Sequence, residues 1–518
     1  MNQTSGSALH SHFLRGLDIS PEGTAIRCED RSLTYTELHR TALRWAGALK
    51  GPRSGPVGVL AADSTGAYAA ILAVLYSGAP VVPLRPDWPA ARTRQILDSA
   101  GVDTVLVDER GLAALPGLVG DGRPLQVFAP EGYERGELPV RSLDSAGPLA
   151  APRAADAADT AYVLFTSGST GRPKGVPITH GNATHYFGEL ARRYDFTEQD
   201  VFSQTFDLNF DCAMFDMFCA WGSGAVLRRV PPHAYRDLPA FIAEQGLTVW
   251  FSTPSAIGLA RRTGTLAAGS MPTLRWSFFA GEALSCQDAA DWHRAAAGST
   301  LENLYGPTEL TVTVARHRWS PETSPGLGAG GGLPIGAVHE GHDWLLLDEG
   351  GGTSAVEGEL CVSGPQLTPG YLDPQDDRGR FLEHEGRRYY RTGDRVRRTA
   401  EGCLAYLGRL DTQVQVQGLR VELAEVDGAL RACTGVDEAA TVAVTGGATG
   451  ATELVAFYTG AAVAPVELAR QLRGILPQAT IPRHFRHLPE IPRNANRKID
   501  RLALIARARR LLPAASPV

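Results

Sequence analysis

Thr166-Ser-Gly-Ser-Thr-Gly-Arg-Pro-Lys-Gly175 follows directly on the apolar run Ala161-Tyr-Val-Leu-Phe165, and the two together decide the fold class. The apolar run reads as a buried strand, and the stretch after it as a loop leaving a strand end, where α/β proteins place ligands. Three glycines let the backbone N–H groups close in on an anion. Ser167, Ser169 and Thr170 add hydroxyl donors, and Lys174 adds a compact positive charge. The loop therefore reads as a cradle for polyphosphate. It is not a Walker A loop, because the GxxxxGK[ST] spacing is absent and Pro173 precedes the lysine.

Outward from this loop the pattern alternates. Val57–Leu60, Thr65–Tyr76 and residues 80–84 read as strand, helix and strand. Residues 95–100 and 103–107 repeat helix and strand, and residues 248–252 and 274–279 read as further buried strands. Residues 120–159, rich in Pro, Gly and Ala, read as an irregular bridge, and residues 325–332 as a glycine-rich loop. The alternation changes near Gly408. A β-like run over residues 413–417, a helical pattern over 423–432 and a strand over 440–444 follow. The expectation is an α/β protein: a large N-terminal domain of layered α/β subdomains, residues 1–408, and a small mobile α+β C-terminal domain, residues 409–518.

A chain of 518 residues with 43% hydrophobic and 20% charged residues fits a large globular enzyme of two or more subdomains. A net charge of −6 argues against a general nucleic-acid or membrane-surface binder, which carries a basic excess. The first residues hold no apolar signal region, and the longest apolar stretch, residues 68–76, is half a bilayer span. Seven scattered cysteines without CxxC pairs point to reduced thiols and a cytoplasmic location.

Further motifs carry chemistry. In Asn303-Leu-Tyr-Gly-Pro-Thr-Glu309, Tyr305 offers a flat face to a base, Thr308 a hydroxyl to a phosphate, and Glu309 an oxygen to Mg²⁺. Tyr390-Arg-Thr-Gly-Asp394 sets a carboxylate after a glycine, and Lys498 sits in a polar segment near the end.

Taken in order, these motifs resemble the signatures of the AMP-forming adenylating superfamily: acyl-CoA synthetases, luciferases and the adenylation domains of nonribosomal peptide synthesis. Leu33-Thr-Tyr-Thr-Glu-Leu38, Leu75-Tyr-Ser-Gly-Ala79, Gly358-Glu-Leu-Cys-Val-Ser-Gly364 and Gly418-Leu-Arg-Val-Glu-Leu423 match further adenylation-domain motifs. The resemblance implies ATP and Mg²⁺ as cofactors. It implies nucleotide contacts from Thr166, Ser167, Gly168, Ser169, Thr170, Gly171, Lys174 and Gly281, with Tyr305 on the adenine, Asp394 on the ribose hydroxyls and Arg409 on the ribose or phosphates. It implies catalytic roles for Thr308 on the α-phosphate, for Glu309 as the magnesium ligand and for Lys498, with Asp411 as the hinge. Two residues depart from the family pattern: Arg497 replaces a glycine, and Gln415 replaces the lysine usual before the Gly-x-Arg turn.

Residues 206–218 resemble the pocket segment of amino-acid-activating members. Motif register sets Asp211 where those members bind the substrate ammonium, with Asp207 as the rival. Carried over in the same way, Cys212, Phe215, Phe251, Phe278, Ala280, Leu304, Val312 and Thr313 complete the pocket. No second charge appears, and three phenylalanines fill volume. The expected substrate is a small or compact apolar amino acid, alanine- or proline-like, or a β-amino acid. The chain shows no carrier-domain serine motif and no HHxxxDG. It reads as a free-standing amino-acid–AMP ligase of antibiotic or secondary-metabolite biosynthesis that loads the phosphopantetheine thiol of a separate carrier protein. The alternatives are an acyl-CoA synthetase of the same fold and a non-catalytic nucleotide-binding regulator.

Overall fold

The structure, a computed structural model, describes residues 8–29, 31–49, 55–62, 64–119, 125–131, 140–168, 172–416, 418–445, 452–493 and 499–511. Its first sixteen strands are β1 (Thr24–Cys28), β2 (Arg31–Thr34), β3 (Val57–Leu60), β4 (Val81–Leu84), β5 (Thr104–Val107), β6 (Gln126–Ala129), β7 (Val140–Ser142), β8 (Thr160–Thr166), β9 (Lys174–Thr179), β10 (Val201–Gln204), β11 (Val226–Arg229), β12 (Val249–Ser252), β13 (Trp276–Phe279), β14 (Thr300–Tyr305), β15 (Ala315–Arg318) and β16 (Ala337–Val338). They form two large sheets. One is ordered β16-β15-β14-β13-β12-β10-β11-β1-β2, the other β7-β6-β5-β3-β4-β8-β9.

Both sheets contain the same doubly wound core. From β3 the chain pairs β4 on one side, then crosses back to place β5, β6 and β7 on the other, all parallel. From β10 it pairs β11 on one side and β12, followed by β13 and β14, on the other, again all parallel. Each sheet thus reverses its winding once, at β3 and at β10, and such reversals open ligand crevices at the carboxyl ends of the strands. Between the sheets lies helix Thr65–Tyr76, which touches β1 and β2 of one sheet and β3 and β4 of the other. Its sequence is apolar all round and nearly every residue is buried, as a helix with no solvent face requires.

Among the described residues of the segment 120–159, β6 and β7 replace the expected irregular bridge and extend the second sheet. Three- and four-residue parallel strands leave too short a periodic signal to stand out among Pro, Gly and Ala. In the segment 325–332, a short helix, Ser324–Leu327, precedes the glycines. Beyond the two sheets, an antiparallel sheet over residues 343–409 carries Asp394 on its long strand Arg387–Arg398. The hairpin Gln413–Val416/Leu419–Glu422, helix Leu423–Arg431 and a three-stranded sheet (Val436–Thr445, Thr452–Gly460, His484–His487) follow, with their own apolar cluster. The seven cysteines are free thiols. Among the described residues no helix is long and apolar enough to cross a membrane.

Several histidines are buried in the neutral form. Burial, with neighbouring positive groups, lowers His10 to about 4 and His339 to about 3. The unfolded chain binds protons at these sites below its ordinary histidine value of about 6.5 while the fold refuses them. Stability from these groups is therefore complete above that value and falls as pH drops towards 4. Thermal unfolding is expected to shift to lower temperature steadily between pH 7 and pH 5, and His339→Gln to flatten that slope. A slope unchanged in the variant would assign the acid sensitivity elsewhere.

Candidate functional site

The crevice at the β10 reversal gathers part of the residues singled out from sequence. The loops after β10, β12, β13 and β14 open here, and the β8 end brings Thr166, Ser167 and Gly168 to the same mouth. A cavity of about 120 Å³ is lined by Thr166, Ser167, Phe206, Asp211, Cys212, Ala280, Gly281, Thr308 and Val312, and by Gln415, Leu419 and Arg420 of the C-terminal hairpin.

Asp211 is the first residue of helix Asp211–Ser223, so its carboxylate lies at the positive end of a helix dipole. Burial pushes its carboxyl up to about 6, although the Thr308 hydroxyl and the Cys212 N–H and thiol pull the other way. No cation pairs with it among the described residues. Asp207, the rival, is tied to Arg85 and stands 3.7 Å from Arg229. It lines a different cavity.

Cys212, Ala280 and Val312 form the wall beside Asp211. Phe215, Phe251 and Phe278 are fully buried one layer behind it. Phe215 packs edge-on against Phe251 at 4.7 Å and against Phe278 at 5.3 Å between ring centroids. Leu304 is buried in the same apolar cluster, and the Thr313 hydroxyl is bonded to the Tyr186 hydroxyl at 2.8 Å.

Val312 reaches the wall through a strained backbone. Thr311 and Val312 have φ of 53° and 66°, a region that costs a β-branched residue of order 1–3 kcal/mol and persists only where the surroundings enforce it. The Gln366 amide does so by donating to the carbonyls of Leu310, Thr311 and Thr313 at 3.0, 3.1 and 2.8 Å. The sequence carries no local sign of that clamp, since Gln366 is more than fifty residues away.

Tyr305, Asp394 and Arg409 converge. The Tyr305 hydroxyl donates to Asp394 at 2.6 Å and the Arg409 guanidinium donates to the other carboxylate oxygen at 2.9 Å. Arg409 also holds Asp411 at 2.7 and 2.8 Å. Lys174 is buried, its ammonium 3.4 Å from the Asp376 carboxylate and 5.4 Å from the centre of the Tyr371 ring. Arg172 pairs with Asp373 at 2.6 Å, so the phosphate loop is tied to the turn at residues 373–377. Ser169, Thr170, Gly171 and Lys498 lie outside the described residues.

Glu309 is fully buried, and a guanidinium occupies its carboxylate. Arg420 donates to both oxygens at 3.0 and 2.8 Å, and the Tyr371 hydroxyl donates at 2.5 Å. Burial raises the Glu309 carboxyl, but Arg420 and Tyr371 outweigh it and the net value is below the ordinary one. Glu309 is ionised and already has its cation in the Arg420 guanidinium, so a metal ion could use these oxygens only with Arg420 displaced.

Arg420 is brought there by the hairpin. The Ser167 hydroxyl donates to the Arg420 carbonyl at 2.7 Å and accepts from the Glu422 N–H at 3.2 Å. The Gly418 N–H donates to Glu282 at 2.8 Å. Gly418 has φ of +78°, and a Cβ there would meet the Thr253 methyl at 2.6 Å, so only glycine fits this approach. Further out, Arg92 pairs with Glu425 at 2.5 Å, each side chain 9% exposed. The Gln415 amide oxygen is buried in the cavity wall with no hydrogen-bond partner among the described residues. Sequence reasoning missed Arg420 on Glu309, the Arg92–Glu425 pair and Asp376.

Known proteins are similar to this chain in sequence and fold. The family pattern described as AMP-binding enzyme matches residues 15–372. An L-proline–[L-prolyl-carrier protein] ligase of Pseudomonas fluorescens is 32% identical over 96% of this chain and 98% of its own length. Surfactin synthase subunit 2 of Bacillus subtilis is 33% identical over 97% of this chain, which spans 14% of that protein. Among solved structures, IdnL7 is 57% identical, with coverage of 97% and 99% and a TM-score of 0.76. The Vibrio cholerae adenylation domain AlmE, solved with glycyl-adenosine-5'-phosphate, is 29% identical, with coverage of 98% and 99% and a TM-score of 0.85.

Proposed function

Because the chain belongs to the AMP-binding enzyme family of ATP-dependent, AMP-forming ligases, we propose that it is an amino-acid–AMP ligase. It activates a small or compact apolar amino acid, alanine- or proline-like or a β-amino acid, to aminoacyl-AMP and pyrophosphate. It then passes the aminoacyl group to the phosphopantetheine thiol of a separate carrier protein. The observation that carries this reading is Asp211, a carboxylate facing the cavity at the β10 reversal, raised to about 6 by burial, with no cation of the described protein beside it. A ligand ammonium supplies the missing partner, and a fatty acid does not.

Under this reading Tyr305, Asp394 and Arg409 hold the nucleoside, and the β8–β9 loop with Lys174 takes the phosphates once they draw Lys174 from Asp376. Thr308 bridges the two substrates, because its hydroxyl faces Asp211 beside the phosphate loop. Bound Mg²⁺ on Glu309 would neutralise phosphate charge. Arg420 has to leave Glu309 for that to happen, so the arrangement with the hairpin inserted suits the step after adenylate formation, and Lys498 belongs to the step before it. The curated proline ligase and the glycyl-adenylate complex concern small amino acids, which supports the size class.

ATP–pyrophosphate exchange across amino acids and fatty acids, followed by mass analysis of a holo-carrier protein, tests the proposal. Exchange with fatty acids alone, or with nothing, overturns it. Phe215→Ala and Phe278→Ala are expected to move the preferred substrate to a bulkier side chain, since the opened space restores about 25 cal/mol per Å² of apolar burial. An unchanged ranking in both variants would make these rings core without influence on specificity.

A further inference from the structure

The second sheet has its own reversal crevice, and it is not part of the site above. The winding of that sheet reverses between β3 and β5, as that of the first does between β10 and β12. A cavity of about 290 Å³ lies there, lined by Ala61 and Ala62 after β3, by Arg85 after β4, and by Arg110 and Ala114 after β5. Its far wall is the loop after β10, through Asp207 and Asn209, and Asn209 also lines the cavity that holds Asp211.

The crevice is preformed. The Asp108 carboxylate accepts from the Ala62 N–H at 2.9 Å, the Ser64 hydroxyl at 3.0 Å and the Gly111 N–H at 2.9 Å, which joins the loops after β3 and β5. Arg85 is engaged on both sides, by Asp87 at 2.7 and 2.5 Å and by Asp207. Arg110 is exposed and makes no hydrogen bond or ion pair among the described residues, although its charge lowers the carboxyl of Asp87. The lining carries two guanidiniums, Arg85 and Arg110, against two carboxylates, Asp87 and Asp207, and both carboxylates are held by Arg85, so Arg110 is the charge left for a ligand. The rest of the lining is aliphatic apart from Asn209.

We propose that this crevice is a second ligand site, for a small aliphatic carboxylate. Arg110 takes the carboxylate, and Ala61, Ala62 and Ala114 take the aliphatic body. The volume admits a ligand of a few carbons. A ligand here rests on the loop that leads into Asp211, so it changes the affinity of the amino-acid pocket.

Sodium butyrate titrated into the full-length protein and followed by ligand-observed NMR tests the site. Binding is expected in the wild type, at least tenfold weaker binding in Arg110→Ala, and loss in Ala114→Phe, which fills the cavity. Arg110 is exposed and unpaired, so its variant should fold and keep the basal exchange rate. The KM for the amino acid should shift at least twofold with saturating butyrate in the wild type and stay fixed in Arg110→Ala. Absence of butyrate binding, binding insensitive to both substitutions, or inorganic phosphate binding as tightly as butyrate overturns the site. An unchanged KM in saturated wild type overturns the coupling.

Discussion

Asp211→Asn is expected to lower amino-acid-dependent exchange by about 10²–10³-fold while ATP affinity stays close to the parental value. Breaking a buried ion pair costs about 3–5 kcal/mol, and each 1.4 kcal/mol is about tenfold. The substitution keeps the shape and the contact with Thr308, so the loss isolates the charge. The pH dependence follows with a definite sign. The free carboxyl titrates at about 6, and only the carboxylate pairs with an ammonium. The kcat/KM for the amino acid should therefore be level above pH 6 and fall about tenfold per unit below it. Bound ammonium favours the ionised form, so kcat should bend at a lower pH than kcat/KM. The asparagine variant should lose the bend altogether. Near-normal exchange by the variant would place the amine elsewhere, and Asp207, held by Arg85 and Arg229, is not available to take it.

The parts of the site that lie within one segment were legible in the sequence. Residues 161–165 have a strand's apolar run ending at a stretch rich in hydroxyls and glycines, and β8 covers that run. The order of the motifs also separated Asp211 from Asp207, and the two carboxylates prove to face different cavities. What the sequence did not carry is pairing across distance. Arg92 and Glu425 are 333 positions apart, and each alone reads as a solvated helix charge. Gln366 has no periodicity or turn signal that points to the left-handed backbone at Thr311 and Val312. Lys174 was read as a free phosphate-binding cation, and its tie to Asp376 arises only when the 373–377 turn folds back over the loop. The short strands β6 and β7 were hidden for a related reason: a strand at a parallel sheet's edge is defined by its neighbour more than by its own sequence.

The Arg92–Glu425 pair leads to the second large effect. Glu425→Ala leaves a guanidinium buried without its partner, a change that costs about 3–5 kcal/mol. Under the proposed reading, in which the hairpin is inserted in only one of two arrangements, the cost falls on that arrangement alone, because the pair joins helix Ala90–Ala100 to helix Leu423–Arg431 across that junction. Arg420 should then sit on Glu309 less of the time. Adenylate formation, which needs Glu309 clear of Arg420, is expected to hold or rise slightly. Transfer of a pre-formed aminoacyl-AMP to the carrier is expected to fall by about 10²-fold. Lys498→Ala should give the opposite pattern, slowing adenylate formation by about 10²–10³, as loss of one transition-state donor does, and sparing transfer. Single-turnover measurement of each half-reaction distinguishes the two variants. The charge-reversed double variant Arg92→Glu/Glu425→Arg serves as the control, because it restores a pair at the same place and should recover most of the transfer rate. Equal loss of both half-reactions in Glu425→Ala, or no recovery in a double variant that folds, would make the pair a general structural contact. The hairpin would then be a fixed part of the site, and Glu309 could take Mg²⁺ only by local movement of the Arg420 side chain.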